Sequence, residues 1–558
     1  MSSTTKTVSS PSSCKAPVNM VAFLLNRSWR TCDAQETSLL LRDCAEREIN
    51  ALLWVFLITI TAFCVEKLIR LLRPWVKASG IPGPPSHSFF GHFSCFGSSR
   101  HYFIDFLSES HSKYGTVLKL WLGPTQLLVS IKDPALIKEI LLKAKDRLPF
   151  SGKAFRLAFG QSSLFYCPYE QAQKRRESLA FELNEKLLER PDVIPKIVFG
   201  CIRERIDELM HEGGIDITLV SQHMAFTILG TTLFGEAFLA WSKASFYEEL
   251  LMMIAKDASF WASYRLTPFW KRGFWKYQSL CMKLKFLTQD IIQQCRRNYN
   301  LLRHKDDFSH NDIVKIGMKT SSLQAFSGAM TQDKLCSKEL NGNLKFGEEP
   351  CGNFMGVMCH GCVATKNLIY NLLEWLAKDP EMQAKIYAEI LMVRQGLAKE
   401  EQDINKMVLL LATVYESVRL LSAAPLLQRC SLKEDLQLKN GVIIPAGAIV
   451  VVPVELMQTD DSSWGSDATK FNPYRFLSKE DAVDPICGSL VLKDPSNNAT
   501  FLPFGFGARA CVGQKFIIQG VASLFAALLE HYEVRVKPES GDSSNSTTPE
   551  IVLARRNA

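Results

Sequence analysis

The sequence predicts a mainly α protein with small β-sheets, an α+β arrangement, behind an N-terminal membrane anchor. Three observations carry this expectation. Long stretches place apolar residues at helical spacing, as in NLIYNLLEWLAKDPEMQAKIYAEIL at 367–391. Strand-like runs are few and short, such as LKLWLG at 118–123 and GAIVVVPVEL at 447–456. From Ile49 to Val65 the chain reads INALLWVFLITITAFCV, 17 residues without a charge. That is the lower limit for a helix crossing about 30 Å of hydrocarbon.

The chain has 558 residues, 47% hydrophobic and 22% charged, enough to bury a large core and incompatible with general disorder. Lys plus Arg number 65 against 57 Asp plus Glu, a net +8. This mild excess, without interleaved basic and aromatic residues, argues against nucleic acid as a partner. The 16 cysteines are scattered from Cys14 to Cys511 with no regular framework, as in a cytosol-facing protein with reduced thiols. Cys359-His360-Gly361-Cys362 has no second pair near it, so buried helix cysteines are expected there in preference to a zinc or redox site.

In chain order, residues 1–48 form an N-terminal extension. Its first 32 residues hold eleven Ser or Thr, four basic side chains and no acid, the composition of a transit peptide or of a disordered tail. Residues 49–66 are the expected transmembrane anchor. Residues 67–85 form a basic, Pro-rich hinge, with Lys67, Arg70, Arg73 and Lys77 preceding Gly80-Ile81-Pro82-Gly83-Pro84-Pro85. These cations place everything after residue 66 in the cytosol by the positive-inside rule. Residues 86–558 are expected to be one catalytic body, since neither a long linker nor an internal repeat divides them. Within it, 302–350 is read as a polar loop, and a second polar loop after residue 537 precedes a short strand, IVLA at 551–554.

The strongest chemical signal is Phe501-Leu-Pro-Phe-Gly-Phe-Gly-Ala-Arg-Ala-Cys511-Val-Gly513-Gln, followed by the amphipathic run KFIIQGVASLFAALLEHY. A thiolate in a glycine-rich loop at a helix N-terminus is stabilised by the helix dipole and by backbone N–H donors. Small residues also let a flat macrocycle approach the backbone, which is the environment of a haem-iron thiolate. Upstream, Glu416 and Arg419 are i,i+3 neighbours on one helix face. A buried carboxylate between two guanidiniums satisfies all three charges.

On these residues the chain resembles the haem-thiolate monooxygenases, the cytochromes P-450, across roughly residues 80–540. Phe504, Gly507, Arg509, Cys511 and Gly513 match the Phe-x-x-Gly-x-Arg-x-Cys-x-Gly pattern of that family in full. Glu416-Ser-Val-Arg419 matches its Glu-x-x-Arg helix, and Arg475 in DATKFNPYRF stands where the family supplies a second arginine to the glutamate. The resemblance implies a single large cytochrome P-450 fold and haem b with iron held by Cys511. It also implies that Arg509, Arg429 and Arg176 bind the haem carboxylates, a task for which Arg suits better than Lys. Ala172 stands four residues before Arg176, where the family usually has Trp, and Tyr169 is a candidate to substitute by stacking.

The resemblance fails on the distal helix. Where the family carries an acid and a Thr that deliver protons, this chain reads His360-Gly361-Cys362-Val363-Ala364-Thr365. Spacing to Asp379-Pro380 puts Val363 at the acid and Ala364 at the alcohol, whereas a one-residue slip makes Thr365 the alcohol. Either way the acid is missing. Thr365 and His360 are therefore the candidate catalytic side chains. Three readings stay open: a monooxygenase with an altered proton route, a peroxide isomerase or dehydratase needing neither dioxygen nor reductase, and a haem-binding protein without turnover. For the first, the resemblance implies NADPH used through a flavoprotein reductase, with Lys174, Arg175 and Lys515 as candidate docking cations, and a lipophilic small-molecule substrate. The expected setting is the endoplasmic reticulum membrane, single-pass, with a cytosolic catalytic domain; a plastid or other organelle membrane is the alternative.

Overall fold

The computed structural model describes residues 34–86, 90–92, 100–143, 164, 169–181, 183–184, 197–211, 216–262, 270–306, 351–395, 404–421, 426–430, 434–479, 490–495, 498–537 and 551–556. The Ser/Thr-rich leader, all but the first five residues of the expected 302–350 loop, and the polar run at 538–550 lie outside the described residues.

Contacts divide the chain into two units, Met1–Arg73 and Pro74–Ala558. The described part of the first is helical throughout. Helix α1 spans Ala34–Lys77 and so extends past both ends of the expected anchor, with Pro74 inside its last turn. Leu, Arg and Lys after residue 66 are strong helix formers, so the end of the apolar run is not the end of the helix. The segment 45–77 has a mean hydropathy of 2.1 over its most apolar window, none of which is buried. It is long and apolar enough to cross a membrane. Ile217–Phe234 passes the same composition test but is 78% buried, which makes it a core helix.

The second unit is helix-rich. It runs α2 (Arg100–Tyr114), β1 (Val117–Leu122), β2 (Gln126–Ile131), α3 (Pro134–Lys143), α4 (Tyr169–Phe181), α5 (Phe199–His211), α6 (Ile217–Phe234), α7 (Glu236–Leu239), α8 (Ala244–Ala262) and α9 (Arg272–Asp306). There follow α10 (Cys351–Lys378), α11 (Pro380–Gln395), α12 (Val408–Leu420), β3 (Leu426–Cys430), β4 (Leu436–Gln437), β5 (Ile443–Ile444), β6 (Ile449–Pro453), α13 (Val454–Gln458) and α14 (Asp461–Trp464). The chain closes with β7 (Leu477–Lys479), β8 (Leu490–Leu492), α15 (Gln514–His531), β9 (Tyr532–Val536) and β10 (Ile551–Arg555).

The largest sheet has strand order β1-β2-β6-β3, with β2 and β6 parallel and the other pairs antiparallel. Every residue of β6 is buried, as its unbroken Ile-Val-Val-Val run requires. The strand expected over 447–456 ends at Pro453, and Val454 already begins α13. The helical stretch expected over 367–391 is broken at Asp379. Its carboxylate accepts from the Met382 N–H at 2.9 Å, and Pro380 opens α11, so the break is an N-cap followed by the residue best suited to a first turn. Trp75 stacks on Trp121 of β1 at 3.9 Å and donates from its indole to the Pro124 carbonyl. This pair ties the start of the second unit to its sheet.

Candidate functional site

The cysteine loop is held from inside and outside. The Cys511 N–H donates to the Phe504 carbonyl at 2.8 Å, closing the loop across Gly505 and Gly507, whose φ values are 72° and 70°. At Gly507 a side chain would also meet the Leu141 carbonyl of α3, so the loop backbone lies directly on that helix. Arg509 is 6% exposed, and its guanidinium sits 5.5 Å from the Tyr169 ring of α4. Tyr169 thus stacks on the loop, although its partner is an arginine of the loop itself. Phe504 packs against the main core, and Gly513 opens α15.

Arg176, about two turns beyond Tyr169 on the same face of α4, donates to the Ala510 carbonyl at 2.7 Å. Ala172, where the resemblance misses a Trp, is fully buried. Arg429 lies on β3 opposite Val450 of β6, but its side chain falls outside the described residues, as do those of Lys174 and Arg175. Lys515 is exposed. The Cys511 side chain is exposed at a cavity of about 390 Å³ shared with Asn184, Asn405, Tyr415 and Gln514.

Behind the loop, Glu416 of α12 is fully buried. Arg419 grips it twice, Nε to Oε2 at 2.6 Å and Nη2 to Oε1 at 2.7 Å, and Arg475 adds a third contact at 3.4 Å. The Asn472 N–H gives Oε1 another donor at 2.8 Å. Arg419 itself is fully buried, donates to the Ala468 carbonyl and lies 5.0 Å from the Trp464 ring. Every polar edge of the trio is met, which is what a buried ion pair needs.

On α10 the structure separates the two candidate distal residues. The Gly361 side faces α6, where an added Cβ would lie 2.9 Å from Leu229 Cδ1. Thr365 lies about 40° around the helix from Gly361 at 100° per residue and is 2% exposed. His360 is exposed and belongs to a different stripe, Asn353-Val357-His360-Ala364-Asn367, at spacings of 4, 3, 4 and 3. Asn353 at its head accepts from the Leu164 N–H at 2.8 Å, which turns this face toward the segment leading into α4. Ala364, Val357 and Asn367 are partly or fully exposed along it. Sequence reading found His360 and Ala364 but missed Asn353 and Asn367, which the 4-3-4-3 period itself contains.

Cys359 and Cys362 are 6% and 2% exposed, and burial pushes both thiols well above their ordinary range. They are core residues of α10, as expected from the isolated pair.

The residues fit a haem group. The loop offers an accessible thiol at the start of α15, a buried cation two residues before it, and glycines that keep its backbone bare. The comparisons agree with this chemistry. The family model for Cytochrome P450 matches residues 81–558. "Cytochrome P450 734A5" of Oryza sativa subsp. japonica is 26% identical over 499 residues, covering 85% of this chain and 83% of that protein. "Cytochrome P450 72A397" of Kalopanax septemlobus is 24% identical over 447 residues, 78% of each. "11-oxo-beta-amyrin 30-oxidase" of Glycyrrhiza uralensis is 25% identical over 454 residues, 76% of this chain and 77% of that protein. The fold and loop thus define a haem-thiolate oxidoreductase. The chain belongs to the cytochrome P450 family, whose members hold haem through a cysteine thiolate.

Proposed function

We propose that the protein is a membrane-anchored monooxygenase that inserts one oxygen atom from dioxygen into a lipophilic small molecule, with electrons from an NADPH-dependent flavoprotein reductase. The observation that carries the reading is the Cys511 loop, closed on Phe504 and bonded to α4 through the Ala510 carbonyl. Haem b, bound through Cys511, supplies the oxygen-activating redox chemistry. Arg509, Arg176 and Arg429 bind its carboxylates. Phe504, Gly507 and Gly513 shape the loop, and Glu416, Arg419 and Arg475 lock the core behind it.

His360 and Thr365 remain the two distal side chains able to handle protons. His360 shares its stripe with Ala364 and Asn367 and can pass a proton along ordered water. Thr365, buried beside the α6 contact, orders the helix that carries His360. One relative is named an oxidase of 11-oxo-beta-amyrin, which supports oxidation of a small organic substrate as the reaction class. The exposed apolar helix α1 supports a single-pass anchor, for which we take the endoplasmic reticulum with a cytosolic catalytic domain. Of the three candidate docking cations, Lys515 is the one whose side chain is described, and it is exposed on α15 where an acidic reductase surface could meet it.

One observation favours a second reading. The stripe from Asn353 to Asn367 contains neither carboxylate nor hydroxyl. A peroxide isomerase or dehydratase needs no such relay. Incubation of the anchored protein with lipid extract under isotopically heavy dioxygen separates the two. Products gaining one heavy oxygen only with NADPH and reductase establish the monooxygenase, whereas rearranged peroxides formed without either establish the alternative. Cys511→Ala is expected to abolish the thiolate-type band of the carbon monoxide adduct, and survival of that band would remove Cys511 as the iron ligand.

A further inference from the structure

The two carbonyls flanking Cys511 are each held by a side chain from one short stretch of chain. Arg176 takes Ala510, and the Asn184 amide nitrogen donates to the Val512 carbonyl at 2.7 Å. The other end of the same amide, Asn184 Oδ1, accepts from the Phe516 N–H at 3.0 Å. A backbone carbonyl only accepts and a backbone N–H only donates, so these two partners settle which way the amide points.

Phe516 is the third residue of α15, whose early N–H groups lack intrahelical partners. Gly513 at the N-cap has no side chain to serve them. Asn184 therefore caps α15 from outside, across 332 residues of sequence. Its second bond acts on the thiolate loop. In a planar trans peptide the carbonyl and the following N–H point to opposite edges. Tying the Val512 carbonyl to Asn184 fixes the Gly513 N–H on the far edge of that plane. That N–H stands two residues after Cys511, the position from which short polar side chains in turns take a backbone donor.

We propose that Asn184 is a positioning residue for the Cys511 sulphur: by clamping the Val512 carbonyl and the Phe516 N–H, it aims the Gly513 N–H and the α15 N-terminus at the thiolate. This rests on Cys511 being the haem ligand. A donor aimed at a ligating thiolate withdraws electron density from the sulphur, weakens the iron–sulphur bond and raises the reduction potential. Asn184 would set those properties through the loop backbone, by way of the Val512 carbonyl and the Phe516 N–H.

The test uses the full-length, haem-loaded protein. The wild type is first checked for the thiolate-type carbon monoxide band, whose absence would overturn the haem-thiolate reading itself. In Asn184→Ala the haem potential is expected to fall and the iron–sulphur stretch in resonance Raman spectra to rise. Asn184→Asp keeps the size of the side chain and an acceptor for Phe516, but loses the donor to Val512; its iron–sulphur stretch is expected to rise as well. Gln519 lines the same cavity and bonds Asn405 at 2.6 Å, so Gln519→Ala is expected to leave both readouts unchanged. A lower melting temperature in Asn184→Ala with stretch and potential unmoved would reduce Asn184 to a structural cap. If Asn184→Ala fails to retain haem, an unmoved stretch in Asn184→Asp overturns the proposal equally.

Discussion

A Cβ on Gly507 would lie 2.7 Å from the Leu141 carbonyl oxygen, closer than side-chain carbons come to backbone oxygens. The obstacle is backbone of α3, which cannot swing aside. With φ at 70° the position is also left-handed, which costs a non-glycine residue about 1–2 kcal/mol. Overpacking adds roughly 1–3 kcal/mol. Gly507→Ala is therefore expected to lower both the urea midpoint and haem content. Gly513→Ala is the comparison: among the described residues its Cβ would meet only Leu183 Cδ1 at 3.7 Å, and its urea midpoint should stay nearer wild type. Equal losses in the two variants would mean that loop flexibility, not the contact with α3, matters.

Glu416 is expected to be the costliest single carboxylate to remove. Glu416→Ala leaves Arg419, fully buried, without its counter-charge, and takes an acceptor from Asn472 N and Arg475. Breaking one side of a buried pair costs about 3–5 kcal/mol. Glu381, on the surface of α11 with Lys385, offers the contrast, because exposed pairs contribute at most about 1 kcal/mol. Denaturant titration of Glu416→Ala and Glu381→Ala checks the gap, and similar values would show that the trio is not a structural lock.

His111 predicts a pH dependence. Its ring is 6% exposed, Nδ1 lies 2.9 Å from the Gly115 carbonyl and Nε2 lies 2.9 Å from Ser130 Oγ. A carbonyl accepts only, so Nδ1 carries the proton and the Ser130 hydroxyl donates to Nε2 in the neutral ring. Burial holds the imidazole below its ordinary value of 6.5, and nearby Lys132 acts in the same direction. His92 is shifted the same way, again mainly by burial. A lowered folded value means that the unfolded chain binds protons first as pH falls. Stability from these rings is thus complete above about 6.5 and is lost below it, by up to about 1.4 kcal/mol per pH unit for each ring. His111→Gln should flatten part of the slope between neutral and mildly acidic pH in urea titrations; an unchanged slope would assign it to other groups.

What could be read in advance follows from how far apart the partners stand in the chain. The cysteine loop, its glycines and the Glu416/Arg419 pair were legible because each is contiguous or one helical turn apart. The length of α1 was not, since hydropathy marks where apolar residues end, whereas the helix continues through Leu68, Ile69 and Leu72 to Lys77. Asn184 was invisible because its two partners lie 328 and 332 residues away. The rotation of α10 was half legible. The sequence contains the 4-3-4-3 stripe, but only the Gly361 contact with Leu229 and the Asn353 bond to Leu164 show which way it turns.

That rotation yields the most informative prediction about chemistry. On the proposed reading, protons travel by an imidazole or water along the His360 stripe of α10, and Thr365 is 2% exposed on another face. His360 is one turn before Ala364, and Asn367 is about one turn after it. If the stripe handles protons, His360→Ala lowers the fraction of NADPH electrons recovered in product and raises peroxide release by several-fold. Ala364→Thr places a hydroxyl on the stripe and should do the reverse. Thr365→Val, which keeps shape and loses the hydroxyl, should alter stability more than coupling. Product, peroxide and NADPH measured together check all three variants. Loss of coupling in Thr365→Val with none in His360→Ala would mean that α10 turns on haem binding to present Thr365. The proton route would then run along the face that now packs on α6.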